Sequence, residues 1–441
     1  MGPGKRLNWK LMDISVSPAH SIEGIVKLPG DKSISHRYGI LGAVAEGTTT
    51  IHNYATGGDC QSTLRCMQAL GARVERDGSK VIIHGGKLLE PKEMLDAGNS
   101  GSTIRMLSGI LAAQPFTSRI GGDESLSRRP MGRIMRPLRD MGAVIEGSAL
   151  EGKEEAQYPP LTIRGQKLHG IDYTLPMASA QVKSCVLMAG LFAEGETIVR
   201  EPVRTRDHTE IALKGFGADL EVQGKVIRLA PGAKLAGQEL MVPGDLSSAT
   251  FFLVAALLMK ESNLLIHHVG LNPTRSALLD FLVGIGASIK VIDVQQSGGE
   301  LIGDLRVRAS KIQGGVIEGA LTAALIDEIP ALAVLGAASE TGLIVRDASE
   351  LRVKETDRIA TLEANFKQMG VEIESTPDGF HIPGGQKFHA ARLHSAGDHR
   401  IAMAFAVAAL AADGPCTIGE AEAASVSFPE FYQTLQEIAR R

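Results

Sequence analysis

The chain has 441 residues, 44% hydrophobic and 22% charged, enough for two or three ordinary domains with a large buried core. Lys plus Arg number 46 against 50 Asp plus Glu, a net charge of −4, which argues against a general nucleic-acid binder. The four cysteines, Cys60, Cys66, Cys185 and Cys416, are spaced neither as metal pairs nor as a disulfide framework, and they read as reduced thiols in a cytoplasmic protein.

The opening "MGPGKRLNWKLM" has no apolar stretch of the signal-peptide kind, and Arg6 stands where a myristoylation motif wants Ser or Thr. Two β-type segments follow, "DISVSP" and "GIVKLPG". A repeat then begins: a polar patch, an apolar helix rich in small residues, and a turn into a β-type run. Its copies are "SISHRYGILGAVAEGTTTIHN", "SGSTIRMLSGILAAQPFTSRIGG", "SAQVKSCVLMAGLFAEGETIVRE", "LSSATFFLVAALLMKESNLLIHH", "IDEIPALAVLGAASETGLIVRD" and "DHRIAMAFAVAALAADGPCTIGE", starting near 33, 100, 179, 246, 326 and 398. The longest apolar stretch, "IAMAFAVAALAA", is 12 residues, too short to cross a bilayer.

A second helix follows each copy. In five cases it ends in Gly and runs into a strand, as in "ALGARVE", "DMGAVIE", "GFGADLEV", "GIGASIKV" and "QMGVEIES". The first helix of each repeat is apolar nearly all round, which a helix tolerates only when buried. The second is amphipathic: Ile359, Leu362, Phe366 and Met369 share one face of a helix over 357–369. Pro137 inside the second copy predicts a kink.

The sixth copy has no trailing strands, so the N-terminal strand is expected to complete the sheet of the last repeats. The chain then crosses twice between two halves, at the similar segments "LPGDKSIS" and "VPGDLSSA". This predicts an α/β protein of two similar domains with three repeats each. One comprises 1–29 plus 245–441, the other is the inserted segment 30–244, and the hinge lies near 29–30 and 243–244.

Each apolar helix starts from a polar patch, where free N–H groups and the helix dipole favour an anion. N-capping needs the same residues, so one patch alone carries little weight. The cations add to it: Lys32, Arg37, Arg105, Arg128, Arg129, Lys183, Lys354, Arg358, His399 and Arg400 lie in or beside these patches. In a net acidic chain they point to a focused anionic site. Arginines facing one another would repel and hold such a cleft open until an anion enters. Asp327, Glu328 and Glu355 are carboxylates among these cations, able to accept a proton or a substrate hydroxyl. No metal motif, phosphate-binding P-loop or nicotinamide fingerprint occurs, so neither metal nor cofactor is expected.

Together "LPGDKSISHR", "GNSGSTIR", "RRPMGR", "DEIPALAV", "RVKETDR" and "GDHRIAMA" resemble, in order and over residues 28 to about 430, the motifs of the 5-enolpyruvylshikimate-3-phosphate synthase family. "PMASAQVKS", "RTRDHTE" and "SFPEF" resemble its bacterial class II branch. The resemblance implies the enolpyruvyl transferase fold, two inside-out α/β barrels. It implies transfer of the enolpyruvyl group of phosphoenolpyruvate to the 5-hydroxyl of shikimate 3-phosphate, with release of phosphate, in aromatic amino acid biosynthesis. It implies a monomeric cytoplasmic enzyme without cofactor, acting on small molecules and on neither nucleic acid nor membrane. Carried over by motif, Lys32 touches both substrates. Ser33, Arg37, Ser179, Ala180, Gln181, Arg206, Asp327 and Lys354 meet shikimate 3-phosphate. Asn99, Gly101, Arg129, Gln181, Glu355, Arg358 and Arg400 meet phosphoenolpyruvate. Lys32, Asp327, Lys354 and Glu355 form the catalytic set. In class II relatives a methyl at the position of Gly101 bears on tolerance of glyphosate, the competitor of phosphoenolpyruvate.

Two positions depart from the pattern. Ala180 stands where many relatives have Ser, and Val426 stands where many have Lys, which puts phosphoenolpyruvate affinity in question. The neighbouring family acting on UDP-N-acetylglucosamine usually carries a Cys in the loop matching "GGDESLSRRPMG"; here no Cys lies between Cys66 and Cys185. RNA 3′-phosphate cyclases share a related repeat but would need a basic surface. A non-catalytic phosphometabolite-binding protein is the remaining alternative.

Overall fold

The computed structural model describes residues 12–150 and 153–441. The opening segment read for leader and lipidation signals lies outside them, apart from Met12. Six helices, one per repeat, form the interior: α1 (Lys32–Val44), α2 (Gly101–Ala112), α3 (Ala180–Gly190), α4 (Leu246–Leu258), α5 (Ile329–Ala338) and α6 (His399–Leu410). Every residue of α6 is buried, as is Leu246–Leu257 of α4. Small residues let such helices approach closely. A Cβ on Gly109 of α2 would stand 2.2 Å from the Cys185 carbonyl oxygen of α3. Helices α4, α5 and α6 pack on one another, and α2 packs on both α1 and α3.

Each repeat contributes to a small sheet. In the second, third and fifth repeats the strand after the buried helix pairs parallel with the strand leading into that helix and antiparallel with a later strand. In the second repeat Thr117–Gly121 pairs parallel with Leu95–Asp96 and antiparallel with Lys153–Arg164. The amphipathic helices cover these units. In Arg358–Gln368, Ile359, Leu362 and Phe366 are buried, with Met369 just beyond. Gly71, Gly142, Gly217, Gly286 and Gly370 have φ of 95°, 99°, 101°, 103° and 74°, the left-handed cap expected after the second helices. After Gly370 the strand starts only at Glu374, later than its β-branched residues suggested. Pro137 lies inside Gly132–Asp140.

The N-terminal strands close the repeats as expected. Ile14–Val16 pairs antiparallel with Cys416–Gly419 of the sixth repeat. Ser21–Lys27 pairs parallel with Asn263–Gly270 of the fourth, before the chain crosses into the first. Glu239–Met241 pairs parallel with Gly47–His52 of the first repeat, before the chain crosses into the fourth. Buried apolar side chains accordingly form two clusters. One runs from Val16 to Leu28 and from Leu246 to Ile438, the other from Ile34 to Val242.

The two crossings are bonded to each other. Gly30 and Gly244 form an antiparallel bridge. Asp31 N–H donates to the Pro243 carbonyl at 2.7 Å, and Asp245 N–H to that of Pro29 at 3.1 Å. A Cβ on Gly30 would lie 1.8 Å from the Asn53 carbonyl oxygen, so only glycine fits there.

Candidate active site

The crossings deliver helix N-termini to a common cleft. Asp31 caps α1 by accepting from Ile34 N–H at 2.9 Å, and Lys32 is the next residue. Its Nζ lies 3.2 Å from Asp59 Oδ2, at the start of helix Gly58–Ala69. Burial, and then Arg400, would lower the Lys32 pKa; the Asp59 and Glu355 carboxylates together outweigh them, and the net shift is upward. Ser33 is half-buried, and its carbonyl accepts from Arg37 Nη1 at 2.7 Å. Arg37 also donates from Nε to Thr209 Oγ1 at 2.6 Å and from Nη2 to Ser184 Oγ at 2.8 Å. An arginine has five N–H donors, so one remains on each terminal nitrogen. Burial brings its pKa down to about 10.

Ser100 and Ser179 cap α2 and α3, accepting from Thr103 and Val182 N–H at 3.0 and 3.4 Å. Capping uses the hydroxyl oxygen and leaves Ser179 O–H free to donate. Ala180 offers only its backbone N–H in the first turn of α3. Gln181 accepts from Arg105 Nη1 at 2.7 Å and donates to Ser102 Oγ at 3.0 Å. Asn99 accepts from Arg129 Nη2 at 2.6 Å and donates to Asp123 Oδ2 at 2.8 Å. The Cα–Cβ direction of Gly101 points at Arg105 Nη1, 2.8 Å away, and Arg129 Nη1, 3.4 Å away.

The second core supplies the opposite wall. Arg358 is buried and donates from Nη2 to Glu355 Oε2 at 2.6 Å and from Nε to Asp398 Oδ2 at 2.7 Å. Its Nη1 is buried with no hydrogen-bond partner among the described residues, a free donor for an anion. Arg400 Nη1 donates to Ser247 Oγ at 2.8 Å and to the Asp327 carbonyl at 2.7 Å. Lys354 Nζ lies 3.6 Å from Asp327 Oδ1.

The walls meet through opposite charges. Arg206 Nη2 donates to Asp327 Oδ2 at 2.8 Å, Arg129 Nη1 lies 3.6 Å from Glu355 Oε1, and Arg133 Nη1 lies 3.2 Å from Glu350 Oε1. This corrects the expectation of facing arginines that repel: each of these cations of the first core meets a carboxylate of the second. Burial would raise the Asp327 carboxyl, but Lys354, Arg400, Arg206 and Arg358 outweigh it and hold the group well below the usual range. For Glu355 the same contest, against Arg358, His399, Arg129 and Lys32, also ends well below it. Both carboxylates are ionised at neutral pH.

Two cations drop out of the cleft. Lys183 is fully buried between Glu210 and Glu201, at 2.6 and 3.1 Å, and is a core ion pair. Arg128 is exposed and pairs with Glu124 at 2.5 Å, one helical turn back. Val426 contributes no charge; its carbonyl lies 2.6 Å from a Cβ built on Gly57, so the Val426–Ser427 backbone rests on the turn leading to Asp59. Sequence reasoning missed Asp59 as the partner of Lys32 and Arg105 as the partner of Gln181. It noted His399 without a role. Burial, then the Lys32 charge, push that imidazole well below its usual range. Neither of its ring nitrogens has a partner among the described residues.

Residues 16–435 match the family model of EPSP synthase (3-phosphoshikimate 1-carboxyvinyltransferase). The chain is 62% identical over 431 residues to the 3-phosphoshikimate 1-carboxyvinyltransferase of Solibacter usitatus, covering 97% of this chain and 100% of that one. It is 52% identical over 434 residues to the enzyme of the same name from Koribacter versatilis, covering 98% and 100%. Its fold is similar to a solved EPSP synthase from Acinetobacter baumannii, with a TM-score of 0.85, 42% identity and 98% of each chain covered.

Proposed function

The chain belongs to the EPSP synthase family, and from that premise we propose that its cleft joins shikimate 3-phosphate to phosphoenolpyruvate. The fold is that of the family, paired inside-out α/β barrels. The reaction is enolpyruvyl transfer from phosphoenolpyruvate to the 5-hydroxyl of shikimate 3-phosphate. The observation that carries the reading is the cleft itself: Lys32, Arg358 and Arg400 at helix starts and Arg129 in the turn after a short helix stand, from both cores, around two ionised carboxylates.

In this reading Ser33, Ser179, Gln181, Arg37, Arg206 and the Ala180 N–H hold shikimate 3-phosphate. Arg129, Arg358 and Arg400 clamp phosphoenolpyruvate beside Asn99, Gly101 and Gln181. Asp327 accepts the proton of the attacking hydroxyl, with Lys354 next to it. The oxygen bonds to C2 while C3 takes a proton, giving a tetrahedral adduct. The C2–O bond to phosphate then breaks as C3 loses a proton, and the enol ether and inorganic phosphate result. With both carboxyls ionised, Lys32 and Lys354 are the groups able to supply a proton, and Asp327 and Glu355 those able to take one. The arginines stabilise the charge that collects on the departing phosphate.

The two cores act as two domains, 1–29 with 245–441 and 30–244, hinged at the paired crossings, so that closure completes the site and excludes water. One chain provides both walls, and a monomer suffices. All four cysteines are free and buried, which fits a reducing cytoplasm. Phosphate release tests the reading: it should appear with both substrates together and with neither alone. Binding of both without release would leave only a phosphometabolite-binding protein.

A further inference from the structure

The loop that carries Arg206 is held from both cores. On the first-core side Thr205 N–H donates to Glu201 Oε1 at 3.1 Å. On the other side Asn272 Nδ2 donates to Asp207 Oδ1 at 2.8 Å and to Glu300 Oε2 at 2.9 Å. Glu300 Oε1 lies 2.7 Å from His208 Nδ1, whose N–H donates to it. Asn272, Glu300 and His208 are 3%, 2% and 2% exposed. Asp207 precedes helix His208–Gly215 without making a cap bond to it. An aspartate there normally accepts from the helix; this one faces Asn272 and, at 3.0 Å, Arg204 Nη2.

Asn272 has one orientation that fits. Its Oδ1 accepts from Thr274 N–H and Oγ1, at 2.8 and 2.6 Å. The amide nitrogen, with two hydrogens, is left for two carboxylates. Both residues lie outside the cleft groups already described, and both touch the neighbours of Arg206 rather than Arg206 itself.

We propose that Asn272 and Glu300 are positioning residues for shikimate 3-phosphate: by fixing Asp207 and His208 against the second core, they aim Arg206 into the cleft. The inference rests on the reading of Arg206 as a phosphate contact. A purely structural role would change stability without singling out one substrate.

Asn272→Asp separates the two. It keeps the volume and the acceptor for Thr274, and replaces the shared donor with a carboxylate facing Asp207 and Glu300. Calorimetry should show the dissociation constant for shikimate 3-phosphate rising about tenfold, equivalent to roughly 1.4 kcal/mol. Its KM should follow, while kcat and the KM for phosphoenolpyruvate change far less. Glu300→Gln, which loses one of two acceptors, should move the same constants by less, and it carries the comparison if Asn272→Asp does not fold. Arg206→Ala is the control. Unchanged affinity in Arg206→Ala overturns both the reading and the inference. Weakened binding in Arg206→Ala with wild-type binding in a folded Asn272→Asp overturns the inference alone. So does an equal rise in both Michaelis constants.

Discussion

The two crossings, Pro29-Gly30-Asp31-Lys32 and Pro243-Gly244-Asp245-Leu246, have the same backbone and different chemistry. Each Gly bridges the other, and each Asp caps a buried helix. Then they diverge: Lys32 reaches Asp59 in the cleft, while Leu246 is 2% exposed in the core. The aspartates diverge as well. Burial would raise Asp31, but His208, Arg275 and Arg206, with the Ile34 N–H, bring it below its usual value. Burial and the Asp31 charge push Asp245 up to about 6, despite Arg275 and Arg400. The repeat therefore sets caps and crossing strands twice, and the residue after each cap decides whether that end of the helix presents a charge to the cleft or an apolar side chain to the core.

The largest test exchanges the roles of those two residues. Lys32→Ala should fold and lose turnover by about three orders of magnitude, the scale of removing a proton donor and electrostatic stabiliser together. Leu246→Ala should lose about 2–5 kcal/mol of stability and keep kcat. Urea melts and phosphate release on both variants decide it. Near-normal turnover by a folded Lys32→Ala would take Lys32 out of the mechanism and erase the contrast.

The glycines give the next effect. A methyl at Gly30 meets the Asn53 carbonyl at 1.8 Å, whereas one at Gly244 meets the His268 carbonyl at 3.1 Å and Leu28 Cβ at 3.2 Å. Gly30→Ala should therefore prevent normal folding, and Gly244→Ala should cost about 1–3 kcal/mol, as overpacking does. Equal melting temperatures for the two would show that the crossings do not differ in tightness.

What was legible in the sequence follows the same division. The helix starts, the Gly caps and the returning N-terminal strand each have a local pattern, and Ile14–Val16 does complete the sixth sheet. Pairings across the fold have none. Asp59 lies 27 residues from Lys32, and Arg105 lies 76 residues from Gln181; helix packing alone brings each pair together. Lys183 shows the converse. It stands at a helix start like Lys32, yet the three-dimensional packing buries it between two glutamates. Charge at a helix terminus is visible in sequence; the direction the side chain takes is not.

The aspartates predict opposite pH dependence. Asp31 has a lowered folded pKa, so its contribution to stability is full above the unfolded value near 4 and is lost as pH falls through the folded one. Asp31→Asn should thus destabilise at neutral pH. Asp245 has a raised folded pKa, so its ionisation costs stability as pH rises from the unfolded value through about 6. Asp245→Asn keeps a capping oxygen and removes that cost, about 1–3 kcal/mol at 1.36 kcal/mol per pKa unit. Melting temperatures at pH 8 and pH 5 check this: the gain should be larger at pH 8. A gain independent of pH would mean that Asp245 is not the titrating group.

A third glycine carries the comparison from the crossings into the cleft, with the smallest effect. Gly101 is the first residue of α2 and, unlike Gly30, its methyl would meet no backbone. The nearest atom is Arg105 Nη1 at 2.8 Å, the far end of a flexible side chain, followed by Arg129 Nη1 at 3.4 Å. Gly101→Ala should therefore fold, with Arg105 giving way. The displaced space adjoins the arginine assigned to phosphoenolpyruvate. Glyphosate, which is longer than phosphoenolpyruvate, should feel the methyl more. A clash of about 1–2 kcal/mol corresponds to about tenfold in affinity. The glyphosate inhibition constant should rise by about that factor, and the KM for phosphoenolpyruvate by less. Equal rises would mean that the methyl acts through Arg129 on both ligands alike, and the cleft wall at Gly101 would then discriminate by charge rather than by space.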